Sequence, residues 1–347
     1  MADTEQDTGV NPATDLQKDG SFGMDTRVGV SRSGVIYGNA VAPDLLVNVK
    51  SENLRADDMV LTPQGLRGQI DAPDGSSRNG VRLVQGKVSL DGSTSNILAM
   101  VNGIVASGSD MIAKPSFDHV AYDLWVRRGE VLHLHQHCLV SRFVMKCAAA
   151  TVADQGFAIE SQAEKPRDGV SLGRESIVDA EFTFVGAQEK PESQITSSNN
   201  EQFSQLEDAT VTVAVKNAWL LGDCELSVAE KDYPLIGFGL SVAYDIQPVI
   251  RGNMRAECFR CLGREIVFSV KVPYTPENAE ALFSPEHLNI PVELSVNAKD
   301  AKTIFRMPTC RRVEKVAPTR GEPEVPLSIT FRAYQRGTGE ILTILSS

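Results

Sequence analysis

Three histidines stand two residues apart in His133-Leu134-His135-Gln136-His137-Cys138, and they are three of the five in the chain. On a regular strand, alternate side chains share a face, so all three rings would project together. Imidazoles arranged in that way can ligate zinc or another borderline metal. His133, His135 and His137 are therefore the metal-ligand candidates. The competing reading is a strand edge that faces solvent or a partner.

The spacing is similar to the cupin motif, in which a His-x-His pair opens a metal site and a Glu follows a few residues on. The stretch that follows here, Cys138-Leu139-Val140-Ser141-Arg142, holds no carboxylate. A cupin-like metal-binding enzyme is thus the rival of another class; a sugar-binding β-sandwich is a further one. The primary expectation is a non-enzyme with no catalytic residue, no cofactor and no metal.

Other chemistry-bearing fragments are incomplete. Cys258-Phe259-Arg260-Cys261 is a lone CxxC with no second pair at zinc-ribbon spacing. On a strand its two sulfurs would face opposite ways, so semi-buried structural thiols are expected. Gly80 to Val88 falls short of a phosphate loop, since Val88 stands where Ser or Thr should hold magnesium. Gly237-Phe238-Gly239 lacks the third glycine of a dinucleotide site, and no Gly-x-Ser-x-Gly elbow occurs.

The formal net charge is −11, which argues against a protein that clamps nucleic acid. Two local basic stretches stand out against it. One is Arg251, Arg255, Arg260 and Arg264; the other is Arg311, Arg312, Lys315 and Arg320. Such patches can meet acidic patches on a neighbouring copy. Six cysteines in 347 residues do not make a disulfide framework. The start, Met1-Ala2-Asp3-Thr4-Glu5, has no basic and no apolar signal region, and no apolar run is long enough for a membrane span. A soluble protein made in a reducing cytoplasm is expected.

The elements that must position these residues are mostly short β-type runs, at 44–49, 80–90, 122–126 and 131–144. Two helix signals interrupt them. Asp91-Gly92-Ser93-Thr94 supplies a turn and N-cap before Ile97, Leu98 and Val101, and Thr275-Pro276-Glu277 does the same before Ala279, Leu282 and Phe283. Residues 1–40 read as a flexible N-terminal arm, 41–190 and 209–347 as two domains, and 191–208 as the linker.

The two domains echo one another in three blocks that keep their order. Val47–Leu54 is echoed by Leu226–Tyr233. Gly86–Leu90 and the following helix signal are echoed by Val270–Tyr274 and a second helix signal. Val178–Gln188 is echoed by Val325–Gln335. The third pair lies closer together than the first two, so the first half contains the longer excursion. The chain reads as mainly β, with two tandem β-sandwich or partial-barrel domains, each carrying one short helix.

Three segments carry a family likeness: Gly86 to Leu98 as strand, turn and short helix; His137 to Phe143 as a strand; and the closing stretch Val325 to Glu340. In this pattern the chain resembles the tail tube proteins of long-tailed (siphovirus-type) bacteriophages. The resemblance implies a duplicated tube domain, with three chains in a pseudo-hexameric ring and rings stacked into a tube. It further implies contacts with tape measure, terminator and baseplate proteins. DNA would pass without specific binding, no membrane would be involved, and the protein would reside in the virion after assembly in the bacterial cytoplasm. A tail-tube initiator, a terminator or a secretion-tube protein of the same fold is the near alternative. The arm at 1–40 and the stretches 55–80, 105–120 and 163–175 would serve contacts between rings.

Overall fold

A computed structural model describes residues 26–34, 36–47, 49–61, 78–101, 110–112, 120–148, 177–190, 192–210, 218–251, 255–283, 289–299, 301–316, 326–335 and 340–346. The chain is mainly β, and its ladders are antiparallel. The first half contributes β1 (Thr26–Arg32), β2 (Leu45–Val47), β3 (Val49–Glu52), β4 (Arg55–Leu61), β5 (Arg78–Asp91), α1 (Thr94–Val101), β6 (Asp110–Ile112), β7 (Tyr122–Arg128), β8 (Val131–Ala148), β9 (Asp179–Gly186) and β10 (Gln188–Lys190). Helix α2 (Ser197–Thr210) follows. The second half contributes β11 (Cys224–Val228), β12 (Lys231–Tyr233), β13 (Gly237–Arg251), β14 (Arg255–Val272), α3 (Pro276–Phe283), β15 (Ile290–Ala298), β16 (Ala301–Val316), β17 (Leu327–Ala333) and β18 (Thr343–Ser346).

Strand pairing shows the duplication. The order β2–β1–β7–β8–β10 in the first half is matched by β12–β11–β15–β16–β18 in the second. The order β4–β5–β9–β8 is matched by β13–β14–β17–β16. Register agrees as well. Phe182 lies opposite Val88 as Ile329 lies opposite Val270, which is the register of the third sequence echo. The second echo slips by two residues, since Val88 corresponds to Val270 and not to Val272, and the first echo is misaligned. Val47 pairs with Val28 as Tyr233 pairs with Leu226, so Val47 corresponds to Tyr233 and Leu226 to Val28. Short alternating strands look alike in sequence, and only pairing fixes which is which.

The helix starts repeat to the atom. Ser93 Oγ accepts the Asn96 N–H at 3.2 Å, and Thr275 Oγ1 accepts the Asn278 N–H at 3.0 Å. Each cap satisfies a donor that the first turn leaves open. Each Asn then reaches back to a carbonyl five residues earlier, Asn96 Nδ2 to Asp91 O and Asn278 Nδ2 to Pro273 O, both at 3.2 Å. The shared signal is Ser-x-x-Asn in the first repeat and Thr-x-x-Asn in the second.

Strands β8 and β16 each serve two sheets. β8 pairs first with β7 and β10, then with β9; β16 pairs first with β15 and β18, then with β17. The handover falls at matching register shifts, between Tyr122/Leu124 and between Ile290/Val292. A second matched shift leaves Ser141 and Val313 as the extra residues. Bulges of this kind bend a strand and re-aim it.

Two boundary expectations are corrected. Thr26–Arg32 falls within the supposed arm 1–40, yet it is strand β1, paired with β2 and β7, with Val28 and Val30 buried. Its short apolar alternation is what a half-buried strand needs; residues 1–25 lie outside the described residues. The supposed linker 191–208 is mostly helix α2. Phe203 of α2 is fully buried against Trp125, Leu132 and Leu134, and the Arg127 guanidinium lies 4.8 Å from its ring centre. Burying a Phe of this kind stabilises by about 1.5–3 kcal/mol.

Among the described residues only the first repeat carries a helix over this sheet face, and the second repeat shows why. Trp125 and Leu134 lie opposite one another, and their counterparts are Glu293 and Arg306, also opposite one another. Those two form an ion pair at 2.8 Å with half of the Arg306 side chain exposed. An apolar pair demands a cover, whereas a charged pair is content in water.

One apolar core runs through both repeats. Trp219 stitches them together. Its backbone N–H donates to Gly92 O at 2.7 Å and its carbonyl accepts from Val178 N–H at 2.9 Å. Its ring packs edge-on against Phe305 of the second repeat, 6.2 Å between centres. The longer excursion of the first repeat falls between β8 and β9, where 149–176 lie outside the described residues, as do 62–77, 105–109 and 113–119 of the expected ring contacts. No described helix is long and apolar enough to cross a membrane.

Candidate functional site

The three histidines do not share a face. His133 and His135 do, with rings parallel and 6.4 Å apart. His137 lies in the bulge opposite Asp123, at φ +52°, and its ring turns away to stack on Phe259 at 6.2 Å. The expected common face fails because a period of two holds only on an unbroken strand.

The remaining contacts of the cluster are structural. His133 Nδ1 lies 3.1 Å from Glu189 Oε1. His135 is fully buried, and neither ring nitrogen has a hydrogen-bond partner. Burial, with Arg128 and His133 nearby, lowers its pKa to about 3, so the ring is neutral. Its counterpart in the second repeat is Met307, also fully buried. His135 thus occupies an apolar core position. Among the described residues, no three His, Cys, Asp or Glu side chains converge as a metal-ligand set.

Ser33, His137 and Asp123 also meet, but not as a nucleophile and its base. Ser33 Oγ lies 3.4 Å from His137 Nδ1. The Asp123 carboxylate is occupied elsewhere: Oδ1 accepts the His137 backbone N–H and Oδ2 the Val41 backbone N–H, both at 3.1 Å. A triad would need that carboxylate on the ring instead. Asp123 is a buried brace for the bulge.

The cysteines are free thiols. Cys258 and Cys261 lie on β14; Cys261 is half-buried as expected, whereas Cys258 is exposed and is not the semi-buried thiol expected there. Burial pushes the Cys147 thiol up to about 11 and the Cys310 thiol to about 12, so neither is a ready thiolate. Part of the second basic patch is used inside the fold: Arg312 donates to Leu282 O, and Arg311 lies over the Tyr334 ring at 5.2 Å.

What the geometry does build is an edge-to-edge seam. Residues Arg142–Ala148 of β8 pair with Gly237–Ala243 of β13, joining the sheets of the two repeats. The result is one eight-stranded sheet in the order β4–β5–β9–β8–β13–β14–β17–β16. Its two outer margins are β4 and the Arg311–Val316 stretch of β16. Each is paired on one side only among the described residues. By the repeat, β4 corresponds to β13 and β16 to β8. The free margins are therefore the two halves of the same seam, left open at opposite ends.

The solvent face of this sheet carries a self-neutralising set of charges. Lys50 bridges Asp91 and Asp179, both at 2.6 Å, and Lys87 meets Glu181 at 3.0 Å. Arg332 pairs with Glu265. A groove of about 500 Å³ lies at the seam, with Lys146, Lys271, Ser269, Ser328 and Thr330 among its lining residues.

Comparison with protein-family models and with curated proteins finds no match to this chain.

Proposed function

We propose that the chain is a structural subunit of a phage tail tube, three copies closing into a ring and rings stacking around a channel for DNA. The observation that carries this reading is the seam between β8 and β13. It joins two like units head to tail through their sheet margins, and it leaves a complementary margin at each end. Unpaired margins are a liability in an isolated subunit. Contacts of one kind repeated head to tail close into a ring when the rotation closes.

The charges fit the same reading. Around the free β16 margin the sequence reads Arg311, Arg312, Glu314 and Lys315, a net positive stretch. Around β4 it reads Arg55, Asp57 and Asp58, a net negative one. Opposite signs steer one copy's β16 towards another's β4 and oppose pairing of like margins. On the broad face, carboxylates engage Lys50, Lys87 and Arg332, so these cations are not free to hold phosphates. A bore lined by that face would let DNA slide.

Negative-stain electron microscopy of the concentrated protein tests the proposal. Rings or tubes with threefold symmetry are expected. Dispersed single subunits at every concentration would sink it.

A further inference from the structure

The margin formed by β3 and β4 is broken where its counterpart in the second repeat is continuous. β13 runs unbroken through Gly237–Ala243, the stretch that pairs with β8. The equivalent stretch, Ser51 to Asp57, is interrupted at Asn53 and Leu54. Several contacts hold the break. Asn53 N–H donates to Lys87 O at 3.0 Å, and Asn53 Oδ1 accepts the Lys87 N–H at 2.7 Å. Leu54 is fully buried. The backbone there descends onto Gly86, at φ +150°, where a Cβ would lie 2.6 Å from Asn53 O.

A part-buried ion pair locks this shape. Arg128 donates to both Glu52 oxygens, at 2.6 and 2.9 Å, and to Leu54 O at 2.5 Å. Glu52 Oε2 also accepts the Leu54 N–H at 2.9 Å, and the Glu52 side chain is 5% exposed. The second repeat needs no such lock. Phe238 and Val296 stand where Glu52 and Arg128 stand here, and both are buried.

We infer that the Glu52–Arg128 pair is an assembly latch: it holds the β3–β4 margin broken, so that the β16 margin of a second copy of this chain meets only the straight part beginning at Arg55. The inference rests on the ring reading. Carrying the β8–β13 register over by the repeat places Arg55, Ala56 and Asp57 of one copy opposite Val316, Lys315 and Glu314 of the next. Ser51 to Leu54, the counterparts of Gly237 to Leu240 in the internal seam, are withheld from a continuous strand. An interrupted margin pairs poorly, which keeps isolated subunits apart.

The test gives the first repeat the second repeat's residues. In Glu52→Phe/Arg128→Val the ion pair becomes the apolar pair that the second repeat buries at the same positions. Sedimentation velocity over a concentration series reads the half-assembly concentration of wild type and variant. The latch predicts a fall of about tenfold or more in the variant. Wild-type rings with an unchanged or higher concentration for the variant would overturn the latch and leave the ring reading standing. Absence of assembly in every protein would overturn both. Should the double variant lose its native circular dichroism, Asn53→Gly decides, because it removes the Oδ1 contact and installs the residue found at Gly239. A lowered half-assembly concentration supports the latch, and an unchanged one rejects it.

Discussion

Cys138 and Cys310 occupy the same place in the two repeats. Each is fully buried at the point where a long strand leaves one sheet for another, and each sulfur faces the carbonyl three residues earlier, His135 O at 3.5 Å and Met307 O at 3.9 Å. The residues opposite them in the next strand are Gly186 and Ala333. A small residue is required there because the sulfur fills the inside of the bend. The first repeat has the tighter version: a Cβ on Gly186 would lie 2.6 Å from Cys138 Sγ.

Gly186→Ala therefore destabilises by overpacking, at about 1 kcal/mol, the low end because Ala333 occupies the equivalent place in the second repeat. In a Cys138→Ala background the cost of the added methyl falls towards zero. Urea unfolding of the two single variants and the double variant gives the coupling. Additive effects would show that sulfur and methyl do not collide.

His135 carries the acid sensitivity. Its folded pKa, about 3, lies below the 6.5 of an accessible imidazole. The unfolded chain therefore binds a proton that the folded chain refuses as pH drops below 6.5, and stability falls until about pH 3. Between pH 7 and 5 the loss from this group is roughly 2 kcal/mol. His135→Met installs the second repeat's residue, removes two unpartnered buried nitrogens and stabilises at pH 7 by about 1–3 kcal/mol. Unfolding midpoints at the two pH values check both points, and an acid slope unchanged by the substitution would show that His135 is not its source.

The sequence made the duplication, both helix starts and the β-rich class legible because each rests on local signals: cap residues, alternation and ordered echoes. Strand identity was not legible, as the swap of Val47's partner shows, because it depends on pairing between distant residues. That His137 leaves the face of His133 and His135 was not legible for the same reason: the bulge opposite Asp123 is set by backbone donors at Val41 and His137. The Glu52–Arg128 pair joins positions far apart in the chain, and neither residue has a local pattern that announces it. Helix α2 hid behind a polar composition, Phe203 being the one deeply buried side chain among those described in it.

The β11–β12 turn carries avoidable strain. Ala229 and Glu230 both have positive φ, +52° and +66°, which a two-residue hairpin turn of this hand demands and which suits Asn-Gly. Ala229→Asn with Glu230→Gly stabilises by about 1 kcal/mol, read as a raised melting temperature. No rise would mean that the turn is held by its surroundings, with Lys231 paired to Glu277 at 3.0 Å.

The register proposed between copies makes a prediction at the level of single residues. Directly opposed residues in an antiparallel pair have Cα atoms about 4.5–5.5 Å apart, within disulfide reach. Ala56→Cys together with Lys315→Cys, in a Cys258→Ser/Cys261→Ser background, should cross-link assembled chains under a mild oxidant. Covalent multiples up to a closed trimer would appear on a non-reducing gel. Ala56→Cys with Val313→Cys is the control, because Val313 is the bulged residue. Equal cross-linking by both pairs would mean that the margins meet without a fixed register. Rings that form while neither pair cross-links would mean that these margins are not the ones that meet.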